Sequence, residues 1–145
     1  MAEQFEEVSA VLTNDKVQFT GTSKANPGRP IEFDYYPPIG DGDGYNGLEL
    51  VLMSLAGCSG TAMAFSLRRM GKSVGNLKVN ARGRRTQEPP VKLDHITLAF
   101  ELTSADATDE DIAKALQLTE EMYCPVWQMI KGNTVIETSY TLTGA

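Results

Sequence analysis

The sequence has few of the residues that most metal and nucleic-acid sites require. Its 145 residues include one histidine and two cysteines, too few for a zinc finger or zinc ribbon with four closely spaced ligands. Basic residues are also fewer than acidic ones: the sequence has 13 Lys and Arg against 19 Asp and Glu, which gives a net charge of −6. Since phosphate groups bind to basic surfaces, we expect neither a nucleic-acid partner nor a membrane-surface partner.

Phosphate-binding and secretory motifs are missing as well. The sequence has no phosphate-binding loop and no dinucleotide-binding fingerprint. Its glycine-rich stretch, residues 40–44, alternates with aspartate and would repel a phosphate. The first seven residues hold three glutamates and no apolar run, unlike a secretory signal. We therefore expect a cytoplasmic protein, in which structural disulfides are rare.

What the sequence does contain is a mixture of strand and helix patterns. Short apolar runs around Asn14-Asp15 predict a β-hairpin, residues 31–35 predict a strand, and residues 37–46 predict a flexible loop. Alternating residues predict strands at 74–85, 93–103 and 135–142. Thr108 is expected to cap a second helix. We therefore predict a single α+β domain spanning residues 1–145.

The longest apolar stretch predicts a helix over residues 47–70. Asn46 is a suitable N-cap with Glu49 three residues later, and Gly71 is a suitable C-terminal stop. Residues 48–67 carry one charge and are long enough to span a bilayer. The small and polar residues among them favour a buried central helix of a soluble protein instead.

This helix is long for so small a domain. About 24 residues at 1.5 Å each give a length of about 36 Å. A single small sheet cannot cover a helix of this length. A homodimer in which two such helices pack together would bury them. Gly57 and Gly60 would allow a neighbouring backbone to approach closely.

The two thiols are the candidates for chemistry. Cys58 lies in the middle of the long helix, where a small inert core residue is the alternative interpretation. Cys124 precedes Pro125 and a short helix to about residue 131, so its sulfur would face free backbone N–H groups that lower a thiol pKa. A plain capping or core cysteine is the alternative there. Two such thiols can reduce a peroxide, because one forms a sulfenic acid and the other condenses with it.

A reactive thiolate also needs a nearby cation. Arg29 is the candidate, since it lies in a loop between predicted strands and would reach across a dimer interface. A solvated loop arginine is the alternative. Glu49 is a candidate to orient such an arginine through a bidentate pair or to accept a proton, alongside its capping role. This chemistry requires no metal and no organic cofactor.

Two segments of the sequence resemble the OsmC/Ohr family, the osmotically inducible and organic-hydroperoxide-resistance proteins. Residues 46–58, Asn-Gly-Leu-Glu-Leu-Val-Leu-Met-Ser-Leu-Ala-Gly-Cys, resemble the helix with the family's first cysteine, and Tyr123-Cys124-Pro125-Val126 resembles its second cysteine motif. The resemblance extends from about residue 17 to 142. It implies an OsmC-like α+β fold and an intertwined homodimer, with two central helices wrapped by two β-sheets and active sites at the interface.

The resemblance implies a stress-response function as well. It implies a thiol-dependent antioxidant peroxidase that reduces organic hydroperoxides, with Cys58 as the peroxidatic thiol and Cys124 as the resolving thiol. A dithiol reductant, such as a lipoyl group, would reduce the resulting disulfide. Glu49 stands one residue later than the glutamate of the Ohr branch, a shift of about 100° around a helix. The Leu-Met-Ser-Leu-Ala-Gly-Cys pattern is more similar to a less characterised OsmC-like subgroup.

Two other interpretations of the sequence stay open. The first is a non-enzymatic OsmC-like stress protein that binds a small apolar ligand in the interface pocket. It predicts normal ligand binding after both cysteines are replaced by serine. The second is that the cysteines only cross-link the fold. It predicts that reduction costs about 2–4 kcal/mol of stability, and a cytoplasmic location weighs against it.

Overall fold

The computed structural model describes residues 2–144, in two compact units that meet in sequence between Leu50 and Val51. The strands of the first unit are β1 (Val8–Leu12), β2 (Phe19–Ser23) and β3 (Ile31–Phe33). The strands of the second are β4 (Leu77–Arg85), β5 (Leu93–Ser104) and β6 (Val135–Gly144). The helices are α1 (Gly47–Arg69), α2 (Asp109–Leu118) and α3 (Pro125–Ile130). The predicted α+β class is confirmed, with one sheet in each unit.

The first unit is an antiparallel sheet in the order β1-β2-β3. The predicted hairpin is present, and the Asn14 side chain shapes its turn by accepting hydrogen bonds from the backbone N–H groups of Lys16 (2.9 Å) and Gln18 (3.1 Å). Strand β2 continues to Ser23, three residues into the segment predicted to be a loop. All five residues of β1 are exposed.

The loop after β3 is held in place by one buried carboxylate. Asp34 accepts hydrogen bonds from the backbone N–H groups of Tyr35 (2.7 Å), Asp41 (3.1 Å) and Asp43 (3.0 Å). These hydrogen bonds lower the pKa of Asp34, and the bond from Asp43 has the largest effect. The segment predicted to be a flexible loop is therefore organised around Asp34, because three backbone donors converge on its side chain.

Helix α1 has the predicted ends. Asn46 and Glu49 form a capping box, in which each side chain accepts the other residue's backbone N–H, at 2.9 and 3.1 Å. The helix ends at Arg69, and Gly71 follows with a φ of +78°, as a C-terminal stop requires. By length and composition alone, α1 could cross a membrane.

Burial of α1 within the single chain is one-sided. The buried residues of α1 are Leu55, Ser59, Ala62, Met63, Ser66 and Leu67. On the rest of its surface, Val51, Met53 and Phe65 are exposed, as are Gly57 and Thr61. A helix with one buried face is a core helix of a globular unit. The remaining apolar surface of α1 is left uncovered by the single chain.

The core of the second unit lies along β5. This strand pairs antiparallel with β4 and parallel with β6. Its buried side chains alternate with less buried ones, as expected for a strand with one face in the core. The buried apolar residues of β5 are Leu93, Ile96, Leu98, Phe100 and Leu102. His95 lies in this central strand, with its Nε2 3.3 Å from Glu137.

The segment that leads to the second cysteine differs from the prediction in one turn. Thr108 is the N-cap of helix α2, and its side chain and that of Asp111 form the capping box. Helix α2 is followed by a π-helical turn, Thr119–Tyr123. The backbone N–H of Cys124 donates to the Thr119 carbonyl at 3.1 Å and closes this turn. Such turns are frequent at functional sites.

Candidate thiol site

Cys124 occupies the junction between the π-helical turn and α3. It is the N-cap of α3, as predicted, and Pro125 follows as the first helical residue. The Cys124 sulfur accepts a hydrogen bond from the Trp127 backbone N–H at 3.4 Å. Its side chain is fully buried, with 0% of its surface exposed. The local sequence therefore predicts that Cys124 is the cap, whereas the burial of Cys124 results from packing within the second unit.

The structure brings the two cysteines together although 66 residues separate them in the sequence. The side chain of Cys58, on α1, lies within hydrogen-bond reach of the Cys124 side chain. Both cysteines are free, and Cys58 is the more exposed of the two. Two neighbouring thiols, one partly accessible and one buried, are the groups from which a reversible disulfide can form.

The electrostatics of Cys124 differ from the expectation that helix capping lowers its pKa. Burial is the largest influence and raises the pKa of Cys124 to about 11. The backbone N–H groups of Trp127 and Val126 lower it, but not enough to offset burial. The neighbouring Cys58 side chain raises the pKa of Cys124 further, first through a hydrogen bond that favours the protonated thiol and then through charge repulsion. Cys124 is therefore a neutral thiol at physiological pH.

Arg29 and Glu49 both belong to the first unit, whereas both cysteines belong to the second. Arg29 is exposed, and its backbone N–H donates to the Asn26 carbonyl at 3.2 Å. Glu49 uses its carboxylate in the α1 capping box. Across residues 2–144 no ion pair joins Arg29 to Glu49. The suggested role of each in thiol chemistry stays a prediction.

Phe65 and Arg69 on α1 and Tyr123, which precedes Cys124, form a small cluster that was not predicted from the sequence. The rings of Phe65 and Tyr123 meet edge-on, with centroids 5.8 Å apart and planes at 89°. The Arg69 guanidinium lies 5.6 Å from the Phe65 ring centroid. Phe65 and Arg69 follow Cys58 by 7 and 11 residues, so the helical repeat alone would have placed them on its side of α1.

Comparison with known proteins identifies the family. A family model described as OsmC-like protein matches residues 40–139. The chain belongs to the OsmC family. The matched range contains both cysteines and Glu49 but not Arg29. The resemblance of the two cysteine motifs to this family is thereby confirmed.

Individual OsmC relatives support the assignment. Protein YhfA of Escherichia coli K12 is 33% identical over 98 residues, covering 68% of this chain and 73% of YhfA. An OsmC-like protein from Mycoplasma pneumoniae superposes with a TM-score of 0.83 at 22% identity, covering 98% and 99% of the two chains. An organic hydroperoxide resistance protein OsmC from Legionella pneumophila superposes with a TM-score of 0.71 at 14% identity, covering 97% and 99%. These two structures share the fold of this OsmC-family chain.

One carboxylate cluster has the composition of a metal site. Oxygens of Asp34, Asp41 and Asp43 lie within 4.8 Å of one another in the first unit. The Asp34 carboxylate already accepts three backbone hydrogen bonds, and Asp41 pairs with Lys16 at 2.5 Å. Hydrogen bonding and this ion pair explain the cluster as part of the loop structure in this OsmC-family chain.

Proposed function

We propose that this OsmC-family protein is a cytoplasmic peroxidase that reduces organic hydroperoxides through Cys58 and Cys124. The contact between the two thiols is the observation that supports this most directly. The OsmC/Ohr family includes peroxidases, and the Legionella pneumophila relative is named an organic hydroperoxide resistance protein. The Phe65–Tyr123 ring pair, in which Tyr123 directly precedes Cys124, favours organic hydroperoxides over hydrogen peroxide.

The different surroundings of the two thiols suggest their roles. Cys58, the accessible one, attacks the distal oxygen of the hydroperoxide as a thiolate. The O–O bond breaks, Cys58 becomes a sulfenic acid, and the alkoxide takes a proton to leave as an alcohol. Cys124, held as a neutral thiol, then gives up its proton and attacks the Cys58 sulfur, releasing water and forming a disulfide. A dithiol, such as a lipoyl group, reduces the disulfide and is itself oxidised.

A homodimer completes this proposal. Proteins of the OsmC/Ohr family are generally homodimers. The uncovered part of α1 includes the small exposed residue Gly57, which permits close packing of a second helix. We propose that two copies of α1 pack here, with the thiol sites at the interface.

The two cysteine variants test the proposed roles. Peroxide consumption is measured with dihydrolipoamide as reductant for the wild type, Cys58→Ser and Cys124→Ser. We expect Cys58→Ser to lose turnover by at least about a thousandfold, because the attacking atom is gone. Cys124→Ser should still reduce one equivalent of peroxide per subunit and accumulate a sulfenic acid that dimedone traps. Full turnover by Cys58→Ser would contradict the proposal.

Arg29 is proposed as the cation that stabilises the Cys58 thiolate, with Glu49 orienting it. Replacing Arg29 by Met is expected to lower kcat/KM by about a hundredfold, since a charged donor to a reacting anion contributes roughly that much. Arg82→Met is the matched control, because Arg82 is exposed on β4. Equal activity of the two variants would exclude Arg29 as this cation.

A further inference from the structure

We propose that Gln128 is a positioning residue for the thiol pair: its side-chain amide holds the chain on both sides of Cys124 so that the Cys124 sulfur stays directed toward Cys58. This inference rests on the proposed peroxidase function, in which Cys124 is the resolving thiol. It deepens that function by assigning a residue that acts through Cys124 on disulfide formation and not on the attack of Cys58 on the peroxide.

Cys124 is the hinge between two helical segments. Its backbone is extended, with a φ of −105° and a ψ of 101°, whereas the π-helical turn before it and α3 after it are helical. Pro125 favours this arrangement, because its ring disfavours a helical conformation in the residue that precedes it. Rotation about the Cys124 backbone therefore changes the direction in which its sulfur points.

This hinge leaves the Glu120 carbonyl without the donor that a regular helix would provide. In an α-helix the donor would be the Cys124 N–H, but that group donates to the Thr119 carbonyl at 3.1 Å. In a π-helix the donor would be the N–H of residue 125, but this residue is Pro125, which has none. The Glu120 carbonyl is therefore open to a donor from another element.

Gln128, on α3, supplies this donor. Its side-chain Nε2 donates to the Glu120 carbonyl, and its backbone N–H donates to the Cys124 carbonyl at 3.2 Å. Glu120 and Gln128 lie four residues before and four residues after Cys124. One residue of α3 thus connects the π-helical turn to α3 across the hinge, and this connection limits rotation at Cys124.

The orientation that Gln128 maintains is the one that disulfide formation requires. The Cys124 sulfur accepts the Trp127 N–H at 3.4 Å, and the Cys58 side chain lies close to it. In the proposed cycle the Cys124 sulfur bonds to the Cys58 sulfur, and the Cys124 proton and the Cys58 hydroxyl leave as water. A hinge that rotates freely spends less time in this orientation, and the apparent rate falls by the same fraction.

A redox equilibrium without peroxide provides the first test. Cys58 attacks oxidised glutathione and releases one reduced glutathione, and Cys124 then attacks the mixed disulfide and releases a second. The two thiol protons pass to the glutathione that leaves. The equilibrium constant measures the effective concentration of one protein thiol at the other. We expect Gln128→Met, which keeps the length of the side chain without a donor, to lower it by about fivefold, the size of one net hydrogen bond.

Two further variants separate the donor from the side chain as such. Gln128→Lys keeps an N–H donor of similar reach, and we expect it to restore the effective concentration in part. Gln117→Met is the matched control, because Gln117 is an exposed glutamine whose amide contacts the Glu121 side chain at 3.4 Å. It should stay within about twofold of the wild type. A Gln128→Met value equal to that of the wild type or of Gln117→Met overturns the proposal.

The fate of oxidised Cys58 provides the second test. A second cumene hydroperoxide converts the Cys58 sulfenic acid to a sulfinic acid and is itself reduced to the alcohol, in competition with disulfide formation. Mass spectrometry after rapid mixing measures both products. We expect Gln128→Met to accumulate sulfinic acid at about fivefold lower peroxide than the wild type, with the rate constant of the first oxidation unchanged. A general loss of structure would slow both steps, and that result overturns the positioning role.

The two tests distinguish this inference from the function on which it rests. If the glutathione equilibrium depends on Gln128 but the wild type consumes no hydroperoxide, the positioning role is supported and the peroxidase function is overturned. If the wild type consumes hydroperoxide and Gln128→Met matches it in both tests, the peroxidase function is supported and the positioning role is overturned.

Discussion

At the scale of single residues, Cys124 shows two physical effects in competition. Its position before Pro125 provides helix N–H groups, and the Trp127 N–H does donate to its sulfur. Burial removes more stabilisation from the thiolate than these donors supply, so its pKa rises to about 11. The sequence predicts the donors, because capping is local, but not the burial, because burial depends on distant residues.

The raised pKa of Cys124 predicts unequal thiol labelling. In the reduced native protein, iodoacetamide should label Cys58 well before Cys124 at pH 8, where about one Cys124 in a thousand is ionised. In urea both should react alike. Peptide mass spectrometry over time measures the two rates, and equal rates in the native protein would contradict the assignment.

The same pKa predicts an alkaline loss of stability. Because the folded pKa of about 11 lies above the ordinary value of 9.0, folding favours the protonated thiol. This contribution to the free energy of unfolding is complete below about pH 9 and is lost as the pH rises through about 11. Urea unfolding under reducing conditions, from pH 7 to 11, should show a steeper alkaline decline for the wild type than for Cys124→Ser. Parallel curves would exclude the effect.

At the scale of secondary-structure elements, the helix caps depend on local sequence, whereas the π-helical turn before Cys124 does not. Asn46 with Glu49, and Thr108 with Asp111, form capping boxes that the sequence indicates, since each needs only residues three apart. The π-helical turn has no such signature. It occurs where Thr119 is buried and Cys124 is directed toward Cys58, so packing rather than propensity explains it.

The cap of α2 gives a prediction at this scale. Thr108→Ala removes the acceptor for the Asp111 N–H, at 3.2 Å, and is expected to lower the free energy of unfolding by about 1 kcal/mol. Thr108→Ser keeps the oxygen and should lose much less. Urea denaturation monitored by circular dichroism compares them, and equal loss in both would assign the effect to the methyl group of Thr108.

At the scale of the whole molecule, the uncovered surface of α1 is the main feature that one chain does not explain. Val51, Met53 and Phe65 are each at least 40% exposed on a helix whose opposite face forms the core. Exposed apolar surface of this kind commonly marks an interface. This agrees with the homodimer proposed above.

Gly57 provides a test of that homodimer. A side chain added at Gly57 meets no other atom of the chain within 4 Å, so Gly57→Glu should fold. An unpaired charge buried between two helices costs several kcal/mol, and we expect dimerisation to weaken by at least about a hundredfold. Gly144→Glu, also without neighbours at that position, is the control. Sedimentation velocity measures both, and a fully dimeric Gly57→Glu would place the interface elsewhere.

The sequence by itself determined the α+β class, the ends of α1, the cap at Cys124 and the family resemblance, because each depends on residues near one another in the chain. Only the tertiary structure decided that the Cys58 and Cys124 side chains lie close together, that Cys124 is a neutral buried thiol, and that Phe65, Tyr123 and Arg69 form one cluster. Contacts across 66 residues and the balance of burial against hydrogen bonding arise from packing, which no local pattern encodes.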